Sequence, residues 1–219
     1  MTKRVGIEVN GVLRDTLGKF TQLYEKHFIE EQDSESLGRT FDLDMSGNTF
    51  EHKEENEFKY EILSDVTSLN LMDHFKFKNN DELYSFMYED FVMQIFGHAG
   101  SSETFTFNDL NNLYLDHRDS CDVIIISDEI GRSKPATLFF LSKFGSLVET
   151  VIFYSMSTKN RLWDNVDVLL TSNPENITNA PSDKIVVKYI TEYNKSVKCN
   201  YEISSLGEFS ELLKKLKLC

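Results

Sequence analysis

The chain has 219 residues, 40% hydrophobic and 27% charged, with Lys+Arg 23 against Asp+Glu 36 and a formal net charge of −13. That length supports roughly one to one-and-a-half domains and a core that needs no metal or disulfide staples. The acidity disfavours duplex nucleic acid on a broad basic face, and no apolar run approaches the ~20 residues of a membrane span.

The N-terminal stretch MTKRVGIEVNGVL is also too short in apolar residues to read as a signal peptide. Three cysteines, Cys121, Cys199 and Cys219, are odd in number and lack metal-ligand spacing. Reduced thiols in a cytoplasmic setting are the expectation.

In chain order, Lys3 to Val12 reads as a strand with Val5, Ile7 and Val9 alternating, broken by Gly11. Leu13, Leu17, Phe20, Tyr24 and Phe28 then recur at helical spacing over 13–30. From Glu30 to Glu57 ten acids meet two bases, Arg39 and Lys53, with little periodicity. This is either an excursion or a solvated part of an insert. A helix is predicted over 81–97 with Asn80 as its cap. A short helix at 107–117 leads to the β-branched run Val123–Ile126, which suits a strand covered on both faces. A helix over 135–144 closes at Gly145. Strands are predicted at 149–155, 166–172 and 184–190, and a last helix opens at Ser205-x-x-Glu208, a capping-box pattern. Strands alternating with helices predict a doubly wound parallel sheet.

Ligands of such a sheet collect beyond the C-terminal ends of its strands. Those ends carry Glu8, Asn10, Ser127, Asp128, Ser155, Thr171 and Ser172, with Lys159 in a loop beside them. A carboxylate, a hydroxyl and a lysine there suit a phosphate or carbohydrate ligand.

These positions resemble the motifs of the haloacid dehalogenase (HAD) superfamily, in particular its 5′(3′)-deoxyribonucleotidase-like branch and related phage proteins. VGIEVNGVLRDT matches the family's strand ending in Asp-x-Asp-Gly-Val-Leu, the VIIIS run its hydrophobic strand ending in Ser or Thr, and DVLLTSNPENI its last motif. Lys159 fits the family's lysine. Lys134 competes, but it follows Ser127 by only seven positions, too few for the intervening helix and strand. The resemblance implies a Rossmannoid three-layer α/β/α core, 1–30 plus 99–219, with a small inserted cap at 31–98. It also implies a phosphate-binding set of Ser127, Lys159 and Gly11.

The chemical positions depart from the family. Its nucleophilic Asp is Glu8 here, its acid–base Asp is Asn10, and the acids of its last motif are Thr171 and Ser172. One extra methylene misplaces the Glu8 oxygen for in-line attack, and Asn10 cannot cycle a proton, a role worth roughly 10²–10⁴-fold. The implied Mg²⁺ loses carboxylates too. The expectation is a HAD-like domain with a degenerate site and no cofactor, a binding or structural module, with phage virion or assembly roles included. Lys159 would then pair with Glu8. The alternative is a Mg²⁺-dependent phosphohydrolase of the nucleotidase type acting on small phosphomonoesters, with Glu8 and Asp128 as metal ligands. Arg14 and Asp15 either approach a cap-bound ligand or form surface ion pairs, the latter being the commoner outcome. The aromatic residues of the insert are either a compact core or a patch that docks a protein partner or a second copy. A small phosphate ligand is the other candidate partner.

Overall fold

The structure, a computed structural model, describes residues 2–30, 58–158 and 160–219. Among them a six-stranded, all-parallel sheet has the order β3-β2-β1-β4-β5-β6. Its strands are β1 (Lys3–Glu8), β2 (Cys121–Ser127), β3 (Val151–Phe153), β4 (Val168–Thr171), β5 (Ile185–Tyr189) and β6 (Tyr201–Ile203). The helices that connect them are α1 (Thr16–Tyr24), α2 (Asn80–Ser85), α3 (Thr106–His117), α4 (Ser133–Lys143), α5 (Asn160–Asn165), α6 (Pro174–Thr178) and α7 (Leu206–Lys215). The expected α/β architecture with a parallel sheet is the one observed.

Burial on both faces explains the unbroken apolar runs. Val5, Ile7, Val123, Ile125 and Val168 pack with Leu110, Phe140, Phe209 and Leu213 on one face. Ile124, Ile126 and Leu169 pack with Tyr154, Leu162 and Val166 on the other. A third cluster is mostly aromatic: Phe20 and Tyr24 of α1 meet Phe75, Phe77, Phe86 and Phe96 of the segment 58–98. Full burial of such rings is worth about 1.5–3 kcal/mol each. These rings therefore form a core. Phe41 and Phe50 lie outside the described residues.

Several boundaries differ from the sequence reading, each for a local reason. β1 stops at Glu8 because the chain turns over Gly11 (φ 72°), with the Leu13 and Arg14 amides both donating to the Val9 carbonyl at 3.0 Å. α1 starts at Thr16, capped by Asp15, which accepts from the Gly18 amide at 2.9 Å. The single helix expected over 81–97 is a short α2 capped by Asn79, not Asn80, followed by two wide π-helical turns at Phe86–Asp90 and Met93–Gly97. Ser205 forms no capping bond to the backbone; it and Ser204 instead donate their hydroxyls to Glu208, at 3.3 and 2.7 Å. β6, three residues long, is too short for periodicity to reveal.

The three thiols are not all free. Cys121, the first residue of β2, is disulfide-bonded to Cys219 with Cα atoms 5.4 Å apart across a sequence separation of 98. α7 returns the C-terminus to the start of β2, a neighbourhood that sequence spacing does not encode. The cysteine content therefore no longer argues for a reduced setting. No helix among the described residues is long and apolar enough to cross a membrane.

Candidate functional site

The parallel register brings Glu8, Ser127 and Thr171, the last residues of β1, β2 and β4, to one edge of the sheet. Above that edge lies a cavity of about 530 Å³. Its floor includes Glu8, Asn10, Gly11, Asp128, Glu129 and Ser172, and the segment 58–98 supplies an apolar wall of Val66, Leu69, Leu71, Met87 and Phe96.

Glu8 is 1% exposed, and neutral donors surround its carboxylate. The Tyr154 hydroxyl and the Asn176 amide donate to Oε1 at 2.7 and 2.8 Å, and the Thr171 hydroxyl donates to Oε2. Asn176 also donates to the Tyr154 hydroxyl at 2.9 Å. Burial, and then the charge of Asp128, push the Glu8 carboxyl up to about 7 against the lowering effect of its donors. The same burial, with Glu8 beside it, pushes the Tyr154 phenol far up, so it stays a donor.

The β2 end is built around a cation. Arg14 is fully buried, not at the surface as the commoner reading of its position had it. Its Nε donates to Thr16 at 3.1 Å and one terminal nitrogen to the Phe96 carbonyl and Thr137, at 2.7 and 2.8 Å. The other donates to Asn10 at 2.6 Å and forms an ion pair with buried Glu129. The guanidinium also lies 5.1 Å from the Phe96 ring centre and 5.3 Å from that of Phe140. Asn10 donates to Asp128 at 2.7 Å and to Glu129 at 3.1 Å. Ser127 donates its hydroxyl to Glu129. Desolvation raises the Glu129 carboxyl and Arg14 is the largest influence opposing it.

Between these two groups the backbone of the β1 loop is covered. The Asn10 carbonyl accepts from the Ser172 hydroxyl at 2.9 Å, and Tyr193 donates to Ser172 at 2.7 Å. A Cβ at position 11 would collide with the hydroxyls of Tyr193 and Ser172, so the left-handed glycine is required on two grounds.

The structure thus brings together Glu8, Asn10, Gly11, Asp128 and Thr171 with Ser127 and Ser172, all named from sequence. Lys159, the expected partner of Glu8, lies outside the described residues. Lys134 is exposed, with its ammonium 5.8 Å from the Phe153 ring centre. Ser155 closes a local turn with Thr158 (2.8 Å). Sequence reasoning missed Tyr154, Asn176 and Tyr193 as site residues. Asn176 stands inside the DVLLTSNPENI motif, Tyr154 falls within the strand predicted at 149–155, and Tyr193 carries no sequence signal.

No family model and no curated protein matches this sequence. Solved structures do. A haloacid dehalogenase-like hydrolase from Burkholderia xenovorans is 11% identical over 100% of both chains with a TM-score of 0.56. HAD-hydrolase YfnB from Bacillus subtilis, crystallised bound to magnesium, is 12% identical over 97% of this chain and 98% of its own, TM-score 0.54. At such identity these likenesses establish the fold, which is that of the HAD-like hydrolases.

The magnesium ion that the resemblance implies would need Glu8, the Asn10 carbonyl and an acid after β4. Glu8 accepts hydrogen bonds on both oxygens, the Asn10 carbonyl accepts from Ser172, and Thr171 and Ser172 stand where the acid would be. Among the described residues no group of three His, Cys, Asp or Glu side chains could hold a metal ion. This donor set does not fit a hard cation.

Proposed function

We propose that this chain uses the HAD-type fold as a non-catalytic binding module. The observation that supports this most directly is the state of Glu8. A nucleophile must present a free, ionised oxygen to phosphorus. Here both oxygens accept hydrogen bonds from Tyr154, Asn176 and Thr171, and burial favours the protonated form. Two of the three positions that the resemblance assigns to phosphate are engaged as well. Ser127 donates to Glu129, and the space over Gly11 is filled by Tyr193 and Ser172. The finer likeness to the nucleotidase-like branch and to phage proteins rests on the motif positions, and the reading of 31–98 as a cap on its position and size. Phe75, Phe77, Phe86 and Phe96 are buried, and the cavity is the surface to which this reading gives the binding role.

The test is phosphate release from a panel of nucleoside and sugar monophosphates with Mg²⁺ or Mn²⁺. No turnover is expected. Turnover abolished by Glu8→Gln would establish the competing reading, a phosphohydrolase of the HAD type. If the wild type is inert, the triple change Glu8→Asp, Asn10→Asp and Thr171→Asp asks whether chemistry alone was lost.

A further inference from the structure

His74 is 4% exposed and belongs to neither the Glu8 nor the Glu129 cluster. It stands at the neck of a loop. Ile62 and Phe75 form an antiparallel bridge, the Leu63 amide donates to the His74 carbonyl at 2.8 Å, and the Lys76 amide donates to the Glu61 carbonyl at 2.9 Å. The Tyr24 hydroxyl of α1 donates to the Glu61 and Lys76 carbonyls at 3.2 and 2.7 Å, which ties the neck to that helix. Residues 64–70 are mostly exposed, yet the loop supplies Val66, Leu69 and Leu71 to the cavity lining.

The imidazole holds the inside of this loop in one protonation state. Its Nε2 accepts from the Ser68 amide at 3.2 Å. A backbone amide nitrogen only donates, so Nε2 carries the lone pair and the ring proton sits on Nδ1. The Ser68 hydroxyl accepts from the Asn70 amide at 3.3 Å and donates to the same Nε2 at 2.9 Å. On the other side, Nδ1 donates to the Ser64 hydroxyl at 2.8 Å, and Ser64 donates on to the Asp65 carbonyl at 3.3 Å. The neutral ring therefore pins residue 64 and residue 68 to residue 74. A proton added at Nε2 would face the Ser68 N–H with no acceptor, inside a buried site.

The charged and titratable groups near the ring give it no counter-ion among the described residues. Asp65 and Asp73, on its own segment, are exposed. Glu61 pairs with Lys76 across the neck at 2.7 Å, and that contact holds its carboxyl below the ordinary range. From α1 comes Tyr24, whose phenol burial pushes up to about 12. Glu82 of α2 is held by Tyr60 at 2.6 Å and Lys78 at 3.7 Å.

We propose that the loop at 63–74 is a pH-sensitive flap of the cavity. Neutral His74 holds it closed, and protonation of the ring, over roughly pH 7 to 5, releases residues 64–70 and with them the Val66 and Leu69 part of the wall. This goes beyond the binding-module reading and holds whether the cavity binds a ligand or turns one over.

The experiment is hydrogen-exchange mass spectrometry of the full chain at pH 7.5 and 5.5, with labelling times scaled to the intrinsic exchange rate. Protection of residues 63–70 is expected to fall about tenfold or more on acidification, while peptides of β1 and β2 lose none. The Glu8 carboxyl, pushed up to about 7, acts in the opposite sense, because its contribution to global stability grows as pH falls. A fall confined to 63–70 is therefore local. His74→Gln offers Ser68 a neutral amide oxygen in place of Nε2 and is expected to keep the protection at both pH values. Ring nitrogen NMR of the wild type is expected to show the proton on Nδ1 at pH 7.5, a result that does not depend on the variant folding. Unchanged protection on acidification, a fall that persists in His74→Gln, or a ring protonated on Nε2 at pH 7.5 would overturn the inference.

Discussion

Two buried glutamates sit a few residues from each other's strands and are stabilised by opposite means. Glu8, at the end of β1, is surrounded by neutral donors from β4, α6 and the turn after β3. Glu129, just past β2, is paired with the buried guanidinium of Arg14. The first arrangement leaves a carboxyl that titrates close to neutral pH. The second fixes a charge pair that also reaches the segment 58–98 through the Phe96 carbonyl. Burial raises both carboxyls, but only one has a cation to offset it. The Glu8 carboxyl is thus accommodated as a polar core residue, while the neighbouring ion pair joins the sheet to the segment that carries Phe96.

Breaking the ion pair is expected to have the largest effect. Arg14→Met leaves Glu129 buried without its cation and is expected to cost about 3–5 kcal/mol by chemical denaturation. Adding Glu129→Leu should return part of that loss, because the stranded charge goes with it. A loss equal in the single and double variants would show that the pair does not couple.

The Glu8 cluster is expected to announce itself through pH. Its folded pKa, about 7, lies above the ordinary value of 4.5, so the native state holds the proton more tightly than the unfolded chain does. The stability this contributes is full below about 4.5 and is lost as pH rises through about 7, by roughly 3 kcal/mol. Unfolding curves from pH 4 to 8 should show the decline. Glu8→Gln should flatten it.

Gly11→Ala tests the loop that separates the two clusters. The left-handed backbone alone costs about 1–2 kcal/mol in a residue with a Cβ, and the collision with Tyr193 and Ser172 adds to it. Tyr193→Phe in the same chain should relieve part of the collision and leave the backbone strain. The smallest effect is expected from Tyr154→Phe. Loss of one donor to Glu8 should cost about 1 kcal/mol and move the Glu8 titration further up, read as a shift of the pH midpoint.

The fold was legible because apolar periodicity is local. The β-branched run at Val123–Ile126 demands cover on both faces, and strands alternating with helices leave few parallel topologies. Glu8, Asn10, Gly11, Ser127 and Thr171 were legible as a set because strand ends in a parallel sheet share an edge. The side of Arg14 was not. Its position after a turn reads as surface, and only the approach of Thr137, Phe96 and Glu129 from three distant segments makes burial affordable. The Cys121–Cys219 bond escaped for the same reason, since 98 positions separate its partners.

The opening surplus of acids now divides in two. Ten of the 36 acids lie between Glu30 and Glu57, a composition read directly from the chain. The sequence by itself determined five of the six strands, their alternation with helices and the grouping of Glu8, Ser127 and Thr171 at strand ends, because those follow from patterns within short windows. Only the tertiary structure decided what each end residue does: that Glu8 is enclosed by neutral donors, that Arg14 neutralises Glu129, and that Asp128 faces the cavity. The physical reason is that the energy of a buried charge depends on which dipoles and counter-charges surround it, and here they arrive from segments more than a hundred residues apart.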